Sequence, residues 1–123
     1  MNTKNYLTVA GVVGVIYGLA FFFFPEQAQS FYGIDDQSNE LAVRMQRFFG
    51  GSIIAMGFLG LMARNASESI GRKAVLGGLS VFFILNLVQI GMWLAQDAPT
   101  FSYVDAVVTL VLGAGAIYFY RKE

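Results

Sequence analysis

The stretch AVLGGLSVFFILNLVQIGMWLA, residues 74–95, decides the fold class. It runs for 22 residues without a charge. At about 1.5 Å rise per residue, a helix of this length crosses a hydrocarbon core of about 30 Å. Working outward, the same pattern recurs three times. Residues 6–24 carry no charge, and neither do residues 106–120. Residues 48–63 are also uncharged, and their apolar pattern reaches back through Leu41 around Arg44 and Arg47. The periodicity predicts an all-α fold, an integral membrane four-helix bundle. Its spans lie near 5–24, 41–63, 72–96 and 103–120, within a single domain covering residues 1–123. Short connections make neighbouring spans antiparallel.

Composition agrees with that reading and excludes several functions. Of the 123 residues, 56% are hydrophobic and 13% charged. Soluble domains average about 45–50% and about 25%. Abundant aliphatic and aromatic residues exclude disorder. Eight basic residues balance eight acidic ones, which argues against a nucleic-acid partner. The chain has no Cys and no His. Disulfides, thiolate metal sites and CxxC thiol–quinone exchange are therefore excluded, as is bis-His haem ligation. The commonest general base and the usual zinc ligand are missing too. Gly11-x-x-Gly14 and Gly57-x-x-Gly60 lie inside apolar helices and are not phosphate loops. No catalytic set can be assembled, so no enzymatic activity, metal or resident cofactor is expected. The five Met read as packing residues.

Charge sets the expected orientation. With the N-terminus inside, Lys4, Arg64, Arg72, Lys73, Arg121 and Lys122 are cytoplasmic, and only Arg44 and Arg47 lie outside. This is a positive-inside bias. The acids run the other way: Glu26, Asp35, Asp36, Glu40, Asp97 and Asp105 are outside, Glu68 and Glu123 inside. Both termini are expected in the cytoplasm, and the membrane to be a bacterial plasma (inner) membrane. The first span is longer than the usual signal-peptide core and ends in Phe21-Phe22-Phe23-Phe24-Pro25 without a small-x-small site, so it reads as a retained helix.

Punctuation marks the ends. Pro25 suits the first position of a new turn, and a short interfacial helix is expected near 26–32, with Phe31 and Tyr32 at the membrane surface. Gly33 reads as a helix cap, Asp35-Asp36-Gln37-Ser38 as a polar turn with Ser38 capping the second span, and Pro99 as the last outer turn. Ala10, Gly14 and Gly18 form a small-residue stripe on the first span, widened by Gly11. Such stripes bring helix backbones together in lipid. Two readings are open: packing inside one bundle, or contact with a second chain.

Polar residues inside apolar helices need partners. Asn86, Gln89 and Trp93 share one face of the third span, with Asn86 about 15 Å deep. Asp105 and Thr109 share a face of the fourth span, and Arg44 and Arg47 a face of the second. All three faces lie in the outer half. If they converge, Arg44, Arg47, Asn86, Gln89, Trp93 and Asp105 line a pocket for a lipid headgroup, a quinone ring or a small anion, with an Arg47–Asp105 ion pair at its mouth. The alternative is purely structural: arginines snorkelling to headgroups, amides bonding between helices, and Trp93 with Tyr103 in an interfacial belt. The inner half offers only Tyr17, Ser52 and Ser80, which argues against a transport path. No acid sits deep in a span, which argues against a proton-coupled multidrug exporter.

The layout resembles small bacterial DoxX-like proteins and neighbouring four-helix families. The resemblance rests on Phe24-Pro25-Glu26, an outer loop, then Arg44-x-x-Arg47-Phe48-Phe49-Gly50-Gly51, continuing through Gly57 and Gly60 to Ala63-Arg64. It implies association with quinol-oxidising or redox-stress assemblies and transfers no catalytic residue. Two main functions follow as expectations, with a small transporter or channel as a weaker third. The first is a non-enzymatic accessory or scaffold subunit of a membrane complex, or a homo-oligomer, assembled through the glycine faces. The second is a lipid- or quinone-binding protein built around the outer polar cluster.

Overall fold

The computed structural model describes residues 1–31, 40–95 and 103–123, and Trp93 by its backbone only. The described residues form α1 (Thr3–Phe23), α2 (Pro25–Phe31), α3 (Glu40–Ala63), α4 (Ile70–Ala95) and α5 (Tyr103–Lys122). Four of these helices, all but α2, are long and apolar enough to cross a membrane. Tyr32, Gly33, the turn 35–38, Gln96, Asp97 and Pro99 lie outside the described residues.

Local chemistry explains the helix ends. The Asn5 backbone N–H donates to the Asn2 side chain at 2.8 Å and so caps α1. The Phe24 N–H still reaches Ala20 O at 2.9 Å. Pro25 then opens α2, where its missing N–H loses nothing, and Phe24 O accepts from Ala28 N at 3.0 Å. The Arg72 backbone N–H donates to Ser69 Oγ at 3.2 Å, capping α4.

Backbone approach holds α1 to α3. A Cβ on Gly57 would lie 2.7 Å from Gly11 O, and one on Gly18 would lie 2.6 Å from Gly50 O. A Cβ on Gly14 would meet Gly57 Cα at 3.2 Å. Only hydrogen atoms fit between these backbones. Gly14 and Gly18 therefore pack against α3 of the same chain, while Ala10 belongs to the buried core. The stripe's partner is internal because Gly50 and Gly57 supply the matching notches.

The four long helices form two antiparallel pairs, α1 with α3 and α4 with α5, which meet across a smaller interface. At the end carrying both termini that interface is filled. Tyr6, Leu7, Leu76, Leu79, Ala116 and Phe119 are buried there. The Tyr6 hydroxyl donates to Leu112 O at 2.7 Å, and its ring lies 5.2 Å from that of Phe119. The ring sits where a Cβ on Gly115 would come within 2.6 Å. Arg72 and Glu123 form a partly buried ion pair, and Arg72 also donates to Ala66 O at 2.8 Å. The outward faces are largely apolar: Ile16, Phe48, Phe58, Leu85 and Val111 are all exposed. Such a surface suits hydrocarbon and not water.

Candidate functional site

Toward the α2 end, the space between the two helix pairs is a cavity of about 490 Å³. This lies within the range of about 300–1,000 Å³ typical of small-molecule sites. All four long helices contribute to it. Its floor is the top of the core, where Ala10, Phe83 and Leu112 are shared by cavity and core.

The amide face of the third span lines this cavity: Asn86 and Gln89 both reach it from α4. Asn86 Nδ2 donates to Phe82 O at 2.8 Å on its own helix. That bond satisfies one N–H and leaves the side-chain carbonyl as an acceptor. Asp105 and Thr109 line the wall from α5. Asp105 occupies the first turn of its helix, where a carboxylate also complements the helix dipole. Trp93 belongs to the same helix as the amides, and only its backbone is described.

The arginines do not join the cavity. Arg44 Nη2 pairs with Glu40 Oε1 at 3.3 Å on the exposed face of α3, and Arg47 is also exposed. Asp105 accepts a hydrogen bond from the Tyr17 hydroxyl at 3.2 Å, and no ion pair links it to Arg47 among the described residues. Helix geometry explains this correction. Gly50 points at α1. At about 100° per residue, Gln46, Ile53 and Phe49 then turn about 40°, 60° and 100° to one side, and Arg47 and Arg44 about 60° and 120° to the other. The cavity lies on the glutamine side.

Two polar lining residues are not among those expected from the sequence. Tyr17, expected in the inner half, stands in the cavity wall beside Asp105. Its spacing from Ala10 and Gly14 puts it on their face, which is the signal that could have found it. Gln46 lines the cavity from α3, and its Oε1 accepts from Gln29 Nε2 of α2 at 2.9 Å. That bond fixes the side chain and leaves the Gln46 amide group as a donor. The two serines expected to be polar spots close on their own helices: Ser52 donates to Phe48 O at 2.9 Å and Ser80 to Leu76 O at 2.8 Å.

No family model, curated protein or solved structure matches this chain.

The site is thus a mainly apolar chamber with polar groups from each of the four long helices. Tyr17, Phe21 and Phe49 form a run of rings, with centroids 6.2 Å and 5.5 Å apart. Phe82 and Phe83 add aromatic surface from α4. Tyr17, Gln46, Asn86, Gln89, Asp105 and Thr109 together supply donors and acceptors. Such a lining offers both apolar surface and hydrogen-bonding groups to whatever occupies the cavity.

Proposed function

We propose that this chain is an intramembrane binding protein for a small amphipathic molecule with a lipid-like or quinone-like apolar part. The observation that carries the reading is the cavity of about 490 Å³, whose mainly apolar walls come from four helices and include a polar group from each of them. A bundle built only for rigidity gains more by filling such a space, since core voids are destabilising. The reading is one of binding without chemistry, in keeping with a chain that has neither His nor Cys. It places the protein in a bacterial plasma membrane with both termini cytoplasmic, supported by the excess of Lys and Arg at the termini end. The DoxX-like layout is compatible with a quinone-related role and adds no residue to it. Of the features that favour an accessory subunit, one, the α1 glycine face, is taken up by α3 of the same chain.

Native mass spectrometry of the chain, purified gently from its own membrane, tests the proposal. A stoichiometric small-molecule adduct is expected. Val108→Phe, which narrows the cavity with an apolar side chain, should remove it while leaving the helix content intact. A bare chain, or adducts indifferent to Val108→Phe, would refute the reading. A reproducible protein complex without a small-molecule adduct would return the accessory-subunit reading.

A further inference from the structure

Building on that binding reading, we infer that the cavity selects a lipophilic organic cation, such as an aromatic or aliphatic ammonium compound. The geometry joins a carboxylate, an aromatic wall and a complete lack of basic lining groups. Among the described residues, Asp105 is the carboxylate in the lining. All eight Lys and Arg of the chain are at described positions, and none of them lines the cavity. The arginines nearest in sequence are turned away on the exposed face of α3, one of them paired with Glu40. An anionic headgroup in this chamber would meet a carboxylate and no counter-charge, which is unfavourable where water is scarce. A cation meets the opposite situation.

The wall strengthens the case. Tyr17, Phe21, Phe49, Phe82 and Phe83 present five rings to one chamber. A cation within about 6 Å of a ring centroid is attracted to the ring face, and more strongly when desolvated. The Tyr17 hydroxyl donates to Asp105, so ring and carboxylate are held side by side as a composite surface. Gln89, Asn86 and Thr109 add carbonyl and hydroxyl oxygens that accept from an N–H donor or face an ammonium's positive edge.

Two ions of nearly the same shape and opposite charge test this directly: tetraphenylphosphonium and tetraphenylborate. The full chain is placed in nanodiscs of phosphatidylcholine, and binding is measured by equilibrium dialysis against empty discs. Decylubiquinone serves as the neutral probe. Saturable tetraphenylphosphonium binding of one per chain is expected, with no saturable tetraphenylborate binding above the empty disc. Asp105→Asn should weaken phosphonium binding by about tenfold or more, while Asp105→Glu retains it. Equal binding of the two ions, or phosphonium binding indifferent to Asp105→Asn, would overturn the cation assignment. Decylubiquinone bound without phosphonium would also overturn it, and would leave the cavity reading standing. Failure of all three probes would remove both readings together.

Discussion

Replacing Gly57 by alanine tests the packing that shapes everything above it. Gly57 lies where α3 crosses α1, and the atoms around its missing Cβ are backbone. A methyl group there would lie 2.7 Å from Gly11 O, 2.9 Å from Val15 N and 3.2 Å from Gly14 C. Ordinary contact begins near 3.4 Å, so the helices must part by roughly 0.7 Å at the tightest point. No side-chain rotation relieves this, because every blocking atom belongs to a helix backbone. Overpacking of this kind costs about 1–3 kcal/mol. Alanine returns up to about 1 kcal/mol through better helix propensity. A net loss of about 1–2 kcal/mol is expected. Gly60 on the same helix is the internal control, since a Cβ there would lie 3.5 Å from Leu7 O and 3.7 Å from Gly11 Cα. Gly60→Ala should be neutral or stabilising. Reversible unfolding in mixed micelles, followed by circular dichroism, gives both values in one experiment. Equal stability of the two variants would refute the close-backbone account of α1 and α3.

Tyr6→Phe keeps the ring in the Gly115 notch and removes only the hydroxyl that donates to Leu112 O. The same unfolding assay should show a loss of about 0.5–1.5 kcal/mol, and a larger loss would mean that the ring itself had moved. Arg72→Met or Glu123→Gln each leaves a partly buried member of the ion pair without its partner, so each should destabilise by about 1–3 kcal/mol. The double variant should recover a substantial part of the sum, and strict additivity in the double-mutant cycle would argue that the pair is not coupled. Arg47→Ala should leave the affinity for the cavity ligand unchanged, whereas Asn86→Leu should weaken it; the reverse order in a dialysis measurement would bring the arginine back into the site.

The glycine faces show where sequence information stops. Gly14 and Gly18 are legible as a small-residue stripe because their spacing of four keeps them on one side of a helix. Which helix covers that stripe is not a property of spacing. It follows from the depth of the matching notches at Gly50 and Gly57, and these count only when two backbones are already antiparallel and in register. The arginines failed for a related reason. Arg44 and Arg47 do share a face, as their spacing requires. That face lies on the opposite side of the α1 contact from Gln46, and rotation about the helix axis is set by packing alone. Asn86 and Gln89 were easier to place, since burying amides in an apolar span is costly anywhere except against protein or trapped water.

The sequence by itself determined the environment and the elements: long uncharged runs must be helices in hydrocarbon, because each backbone group has to be satisfied within its own segment. Tertiary structure alone decided that α1 meets α3 through bare backbone. It also turned the arginines outward, set Tyr17 beside Asp105, and left a chamber between the helix pairs above a filled core. The physical reason is directional. Hydrophobicity tells a helix to enter the membrane, whereas only contact between particular surfaces tells it which way to face.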